Sequence, residues 1–584
     1  MKRSIAICDV GVFDGFRLLP RTTVVIRDGI LSAIGEDIAI PGDARVIDGT
    51  GQTLLPGLID AHTHVIFASS LRQALMFGVT TELDMFMDYR IAREIKQRHA
   101  ADQMLDMADL RSAGTLATAP GGHGTEYSMS IPTICEPEDA QRFVDARISE
   151  GSDYIKIIYD SRRAYGMNIP TISKPTMAAL VAAAHSRGKL AIVHALRLQD
   201  ARDAIEVGVD GLAHLFIDQA PDSGFGHFVA AHGAFVVPTL SMLESLSDVS
   251  QSASLAVDIR LTPYLSKEDI LGLKAASPNK TNAHFNYVTA QETIQQLKAS
   301  GVPILAGTDA PNPGTLHGVS MHRELELLVQ AGLTPTEALI AATSASASMF
   351  GLVDRGRIAP GLRADLLLVR GDPTTNIQAT RDIVSIWKRG IQVVRRTYQA
   401  VLEQQQTEAR QRLAPVGSES GAISDFEDGT TRTAFGIGWR ISTDSARGGG
   451  STASFKVVPD GADGGKGSLF ITGEIAPKLQ FPWAGAIFFP GPTPWSPANL
   501  SNKKALTFWT KGDGKVYRVM LFAESPQAMP ETLSFVAGSQ WHQFSFTFTQ
   551  FGKIGGHDLL GVLFAADRTP GQFAFHIDDV RFEQ

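Results

Sequence analysis

The chain has 584 residues, too many for one domain, and 44% of them are hydrophobic, which suits a soluble globular enzyme with a large core. Its net charge of -8 argues against nucleic acid or an anionic membrane surface as the main partner. Two distant cysteines, Cys8 and Cys135, make neither a disulfide framework nor a zinc ribbon, and no run of eighteen apolar residues marks a membrane span.

Residues 1–10 start basic, but their apolar stretch is too short for a signal peptide and runs into a strand pattern, so a cytoplasmic protein is expected. A periplasmic or secreted chain whose signal peptide had been removed would read the same. Residues 1–57 predict short strands at 5–10, 24–27, 31–34 and 45–48, punctuated by Gly29, Gly51 and Gly57. This is a small β unit without a core of its own.

From 58 to about 350 the pattern changes. Apolar runs at 58–66, 80–86, 110–118, 154–159, 190–196, 211–216, 235–240 and 303–309 alternate with helical segments such as 136–150, 174–188, 198–208, 285–300 and 319–331. Eight buried-type strands alternating with helices predict an α/β fold, a (β/α)8 TIM barrel. In such a barrel, chemistry sits at the C-terminal ends of the strands. The first strand carries His62 and His64, two residues apart and so on one side of a strand. The fourth carries Lys156, the fifth ends on His194, the sixth carries His214 and the eighth ends on Asp309. Charged and imidazole groups are rarely buried without a partner. Six of them at one barrel mouth call for a common one, and two divalent cations supply it. A protonated lysine has no lone pair, so Lys156 beside two cations is either neutral or converted by CO2 to a bridging carboxylate.

The stretch 56–64 (Pro-Gly-Leu-Ile-Asp-Ala-His-Thr-His), Lys156, His194, His214, Gly307-Thr308-Asp309, Leu333-Thr334-Pro335, 356–361 and Ala364-Asp365-Leu366 together resemble the amidohydrolase superfamily, in its imidazolonepropionase-like and prolidase-like branch. The resemblance covers roughly residues 1–400. It implies a binuclear centre, usually zinc. His62, His64 and Asp309 would hold the more buried ion, His194 and His214 the other, and carboxylated Lys156 would bridge them. It also implies that Asp309 takes a proton from the bridging hydroxide and passes it to the leaving group.

Further contacts are expected around this centre. The loop Pro120-Gly121-Gly122-His123-Gly124 lets backbone approach a ligand, and His123 can donate to a carbonyl oxygen, a catalytic as well as a binding role. Tyr159 and His317 are candidate substrate contacts, His322 is expected to be structural, and Arg162 and Arg163 to be solvated, with contact to an anionic substrate the alternative for the two arginines. Leu196 stands where peptidase-like relatives often carry a polar residue, which weakens any particular dipeptide specificity. The long stretch 243–285 suggests a lid.

Residues 351–400 return to a β pattern and are expected to join 1–57 in a discontinuous composite β-sandwich. A polar helix near 398–412 and a linker within 401–424 follow. Residues 425–584 are Gly-rich, with recurrent short strands and five of the six tryptophans, and predict an all-β jelly roll. It resembles the sandwich of complex I intermediate-associated proteins and of some carbohydrate-binding modules, through 425–428 (Asp-Phe-Glu-Asp) and 577–580 (Ile-Asp-Asp-Val). Glycan binding by its tryptophans and a structural Ca2+ on its acidic pairs are the expectations there.

The whole therefore reads as a metal-dependent amidohydrolase acting on an amide of a small-molecule substrate: an N-acyl amino acid, a dipeptide or an aryl amide. Cyclic amide, lactam or ester hydrolysis is the alternative within enzymes, as is deamination, against which Lys156 argues, since the resemblance implies one metal and no bridging lysine in deaminases. A non-catalytic scaffold and a glycan binder are the alternatives outside them. No nucleic acid and no membrane is expected as partner, and a homo-oligomer is.

Overall fold

The structure, a computed structural model, describes residues 4–127, 131–247, 251–275, 287–412, 421–447, 449–477, 479, 482–523, 530–552 and 554–584. The chain forms two compact units, residues 1–402 and 403–584.

The first unit closes its two sequence ends into one eight-stranded sheet. Strands Ile5–Phe13, Leu18–Arg27, Ile30–Gly35, Arg45–Asp48 and Gln52–Pro56 come from the N-terminal side, and Leu366–Arg370, Ile383–Lys388 and Ile391–Gln392 from the far side. The junction is Gln52–Pro56, which pairs parallel with Ile5–Phe13 and antiparallel with Leu366–Arg370. Val24, Leu54, Leu366, Leu368 and Trp387 share one apolar cluster across this junction. The sheet is thus held by burial that neither segment could achieve alone.

Between these segments every strand pairing is parallel. Leu58–Thr63, Val79–Asp84 and Asp109–Ser112 make a three-stranded sheet; Ile155–Ile158, Ala191–His194, Gly211–Ala213 and Phe235–Val237 make a four-stranded one. These strands read as continuous apolar runs because both their faces are covered. Helices alternate with them. Lys174–Ser186, for example, starts where the Ser173 hydroxyl accepts from Thr176 N, and buries Met177, Leu180, Val181 and Ala184 at helical spacing.

The expected strand at 303–309 is not a regular strand. It touches its neighbours through isolated parallel bridges, Val236 with Ile304 and Thr63 with Ala310, and a third bridge, Ala117 with Ile157, links the two sheets. The ladder breaks for a local reason. The amide of Thr308 is taken by the Asp60 side chain rather than by a strand, and Asp309 has a left-handed backbone, φ 56°.

Part of the expected lid, 248–250 and 276–286, lies outside the described residues. Its described part is packed down. Leu255, Leu261, Leu265 and Leu273 are buried, and Asp258 is held by Arg260 at 2.6 Å and by Arg381 at 3.0 Å.

The second unit is all-β. One antiparallel sheet contains Thr452–Val458, Ser468–Ile475, Gly571–Glu583, Ala505–Gly512 and His542–Thr547; the other contains Gly438–Thr443, Ala484–Phe489, Leu559–Ala566, Val516–Ala523 and Glu531–Val536. Leu469, Phe508 and Phe575 of the first sheet and Phe488, Phe564 and Tyr517 of the second fill one core. The expected linker 401–424 is largely structured. Helix Arg395–Arg412 covers its first half, 413–420 lie outside the described residues, and Ala422–Ser424 pairs with Gly571–Glu583 as part of the sheet. Its Ile423 side chain is buried in the core, so the segment gains burial by pairing rather than spanning.

Candidate metal centre

His62 lies on the first parallel strand and His64 just past its end. Hydrogen bonds from Asp309 N to His62 O (2.7 Å) and from His64 N to Ala310 O (2.7 Å) knit this strand end to the segment that carries Asp309. His62 Nε2 is 3.3 Å and His64 Nε2 3.0 Å from Asp309 Oδ1. Neither contact is aligned as a hydrogen bond, and Asp309 Oδ1 has no such partner. From the sixth strand end, His214 Nδ1 stands 3.8 Å from Asp309 Oδ2. Among the described residues, His62, His214 and Asp309 form the one group of three metal-type donors whose atoms all lie within 4.8 Å of one another.

The remaining expected ligands are adjacent. The His194 ring is 4.5 Å from the His214 ring, centroid to centroid, and its Nε2 is 3.2 Å from Asp160 Oδ2. Lys156 is 2% exposed and its Nζ has no hydrogen-bond partner. Both ring nitrogens of His62 are likewise buried and unpartnered. Leaving such groups unsatisfied is costly. His64 is the most open of the set, with 29% of its side chain exposed.

The backbone at two of these positions is unusual. His214 and Asp309 both have left-handed φ, 71° and 56°, a conformation that costs a non-glycine residue and persists where the surroundings impose it. Thr239, also left-handed at φ 50°, places its hydroxyl 2.7 Å from His214 Nδ1.

Electrostatics follow from burial. Burial, reinforced by Lys156, drops the His62 imidazole to about 3, and burial holds His194 and His214 well below the ordinary histidine range. Burial also lowers the Lys156 amine to about 7, against the pull of Asp309 and Asp84. Burial opposes ionisation of Asp309, but the neighbouring His62 and His214 hold its carboxyl well below the usual range. Neutral imidazoles, an ionised carboxylate and an amine with an accessible lone pair are the protonation states a cation site needs.

Other expected residues divide. The His123 ring is 5.0 Å from the His194 ring, so His123 stands beside the centre. Tyr159 does not join it: its hydroxyl donates to Asp203 Oδ2 at 3.1 Å, on helix Leu198–Glu206. Tyr159 lines a small cleft of about 180 Å³ with Ser161, Arg163, Thr171, Arg197 and Asp200. His317 is enclosed, 2% exposed, with Nδ1 2.9 Å from Glu82 Oε2. His322 bonds Thr380 Oγ1 and Phe77 O inside the fold. Arg162, expected in solvent, is instead tucked against His123 and Glu126, with 14% of its side chain exposed.

Several supporting residues were not singled out from sequence. Asp60 Oδ1 accepts from Thr308 N and His62 N, and its Oδ2 from Thr308 Oγ1. Asp84 accepts from Val65 N and Ser112 Oγ. Asp60 was visible as a charged residue inside an apolar run, two positions before His62. Asp84 closes strand Val79–Asp84 and is held by the neighbouring strand ends, while Asp160 and Glu126 owe their places to contacts made by loops.

The acids expected to share a calcium in the second unit hold local donors. Asp578 accepts from Ala462 N and Asp579 N, Glu427 from Lys466 N, Asp425 from Glu427 N and Asp428 from Thr430 N, while Asp579 pairs with Arg581. Of the tryptophans, Trp439 is core, packed on Phe426, Phe488 and Phe564, whereas Trp495 is 51% exposed.

The amidohydrolase family model matches residues 53–394, and the model of complex I intermediate-associated protein 30 matches residues 425–555. An imidazolonepropionase of Cereibacter sphaeroides is 28% identical over 397 residues, spanning 61% of this chain and 90% of that protein. An imidazolonepropionase of Deinococcus radiodurans is 26% identical over 401 residues, spanning 65% of this chain and 91% of its own. The fold is also that of a Xaa-Pro dipeptidase with methionine bound in its active site (TM-score 0.54, 21% identity, 67% of this chain and 99% of that one). Phenylurea hydrolase B shares it too (TM-score 0.53, 20% identity, 68% and 97%). The chain belongs to the amidohydrolase family, on its imidazolonepropionase-like and prolidase-like branch, with a complex I intermediate-associated protein 30 domain at its C-terminal side.

Proposed function

We propose that this amidohydrolase is a binuclear metal-dependent enzyme that hydrolyses the amide C–N bond of a small substrate, an N-acyl amino acid, dipeptide or aryl amide, at the mouth of a closed (β/α)8 barrel. The observation that carries the reading is the set of buried polar atoms without hydrogen-bond partners, both nitrogens of His62, Nζ of Lys156 and Oδ1 of Asp309, next to His64, His194 and His214. Burial of so many donors without partners is costly unless cations complete the site. The bridges to segment 303–310 support the closed barrel.

His62, His64, His194, His214, Asp309 and Lys156, carboxylated by CO2, would hold two divalent ions, with zinc the expected metal. Bound ions supply Lewis acidity, acidifying water and polarising the acyl group. The chain's own residues do the rest. Asp309, held ionised, accepts the proton of the attacking water and returns it to the leaving nitrogen. His123 hydrogen-bonds the acyl oxygen as charge develops there. Asp60 holds the strand end under His62.

The test is metal content together with a screen of N-acyl amino acids, dipeptides, aryl amides, lactams and esters, on wild type and Lys156→Ala. Near two metals per chain, with metal and activity both lost in the variant, supports the reading, and the best substrate names the activity. One metal per chain and an unaffected variant would replace it with a mononuclear, deaminase-like site. Turnover of lactams alone would favour the cyclic-amide alternative, which the likeness to imidazolonepropionases keeps in view.

A further inference from the structure

The cleft beside Tyr159 borders the metal centre, and the chemistry above gives it no role. Tyr159 N donates to His194 O at 3.1 Å, and Asp160, between Tyr159 and Ser161, has Oδ2 3.2 Å from His194 Nε2. Arg197 follows His194 by three residues, at most about 10 Å of extended chain. Its backbone is extended, φ -120° and ψ 146°, just before helix Leu198–Glu206. The cleft therefore lies at the ends of the two strands that carry Lys156 and His194. At about 180 Å³ it has room for one small group of a substrate, not for the whole of it.

Its lining carries more positive than negative charge: Arg163 and Arg197 stand against a single acid, Asp200. Among the described residues neither guanidinium is saturated. Arg163 donates from Nε to Asn168 Oδ1 at 3.1 Å, a neutral acceptor. Arg197 has Asp200 3.8 Å from Nη1 and Asp218 3.7 Å from Nε, both beyond hydrogen-bond reach. A guanidinium offers five N–H donors in a fixed fork, which a carboxylate meets with two oxygens at once. Thr171 Oγ1, also in the lining, is enclosed and has no hydrogen-bond partner. The acids behind the lining are engaged. Asp203 accepts from Lys174 Nζ at 2.9 Å and from the Tyr159 hydroxyl at 3.1 Å, and Asp218 accepts from Leu198 N at 2.9 Å. A ligand carboxylate would thus complete donors that the fold leaves open, whereas a cationic ligand would find only Asp200.

We propose that this cleft reads a free carboxylate on the leaving side of the substrate, with Arg197 as the principal contact and Arg163 and Thr171 as supporting ones. The catalytic meaning rests on the hydrolase reading above and narrows it. N-acyl amino acids and dipeptides carry such a carboxylate, one carbon away from the scissile nitrogen; an aryl amide does not. With the acyl carbon at the centre, that carboxylate falls within a few ångströms of it, which is where a cleft bordering the centre can hold it. Leu196, the position that offers no polar contact, is buried in the apolar core, and the residue after it supplies the charge.

Two measurements on the full-length protein test this. In the first, L-leucine and L-leucinol, which differ in the carboxylate and contain no amide bond, are titrated calorimetrically into wild type, Arg197→Met and Arg197→Lys. Leucine is expected to bind wild type about 10–100-fold more tightly than leucinol. That margin is expected to vanish in Arg197→Met and to survive in part in Arg197→Lys, which keeps the charge but not the fork. Equal binding of the two ligands by wild type, or an intact margin in Arg197→Met, overturns the proposal; tighter binding of leucinol overturns it in favour of Asp200 as a cation site. Should Arg197→Met fail to fold, Arg163→Met, on an exposed side chain, gives the same comparison with an expected loss of about 2–10-fold. In the second, kcat/KM is compared for N-acetyl-L-leucine and N-acetyl-L-leucinol. Wild type is expected to favour the acid about 10–100-fold, chiefly through KM, and the ratio is expected to fall toward one in Arg197→Met. No preference in wild type, or an unchanged ratio in the variant, overturns it. Failure of the hydrolase reading shows separately, as wild-type protein that binds leucine through Arg197 but has no metal pair and no turnover.

Discussion

Asp60 grips Thr308 at two points, its Oδ2 accepting from the hydroxyl at 2.7 Å and its Oδ1 from the amide at 3.0 Å. The two residues stand on neighbouring backbone segments, one two positions before His62 and the other one before Asp309. The grip thus fixes the separation of two groups that converge on one point. Asp60→Ala would strand both Thr308 donors and the His62 amide in the interior. The expected cost is about 2–4 kcal/mol of stability, read from the urea midpoint. Metal affinity should weaken about 10–100-fold, as for residues that orient ligands. Unchanged metal affinity with lowered stability would confine Asp60 to a structural role.

The centre also predicts a coupling between metal and fold. Stripping the protein with a chelator should lower the melting temperature of the first unit by several degrees and abolish hydrolysis, and Zn2+ should restore both. The orphaned atoms of His62, Lys156 and Asp309 lose their partners when the ions leave, and a ligand that binds only the native state stabilises it by mass action. Differential scanning calorimetry with metal analysis checks this; identical melting with and without chelator would speak against a resident metal.

Away from the centre, Glu324 offers a pH signature. Its carboxylate is enclosed and accepts from Leu240 N and Ser241 N, and burial pushes its carboxyl up from 4.5 to about 7. A carboxyl whose folded value is raised binds its proton more tightly in the native state. Its contribution to stability is therefore present below the unfolded value and is lost as pH rises toward about 7. The stability advantage of wild type over Glu324→Gln should shrink by roughly 1–3 kcal/mol between about pH 5 and pH 8. A pH-independent difference would show that Glu324 stays ionised throughout.

In the second unit, Phe508 is fully buried, with the Phe564 ring at 4.8 Å and the Phe535 ring at 5.1 Å, both edge to face. Phe508→Ala should cost about 3–5 kcal/mol. Calorimetry should show this as a downward shift of one melting transition, with hydrolytic activity at low temperature retained. Loss of activity in the folded variant would make the all-β unit a participant in catalysis.

How much of this was legible in the sequence depends on the range of the interaction. His62 and His64 were readable because alternation on a strand is local, and Lys156 and His194 because a polar residue stood within an apolar run. Glu126 and Asp160 were not, because their roles are set by which loop lies across from them. The partner of Tyr159 was hidden for a related reason: its hydroxyl goes to Asp203 on the neighbouring helix. The strand Gln52–Pro56 was hidden between two glycines, since what makes it a strand is Leu366–Arg370, far along the chain. Segment 303–309 had the right composition for a strand, but Asp60 competes for its amide, a contact no window of neighbours reveals.

That long-range pairing of Gln52–Pro56 sets a timetable on the ribosome. The strand leaves the exit tunnel early and must wait for Leu366–Arg370 while all the intervening chain is made, roughly 15–60 s at about 5–20 residues per second. Throughout that interval one edge of Gln52–Pro56 has open backbone groups flanked by the apolar Leu54 and Leu55, a template to which any passing strand can add. Nascent chains stalled before residue 366 should therefore be the species that holdase chaperones retain, and chains released after Gln392 should let go.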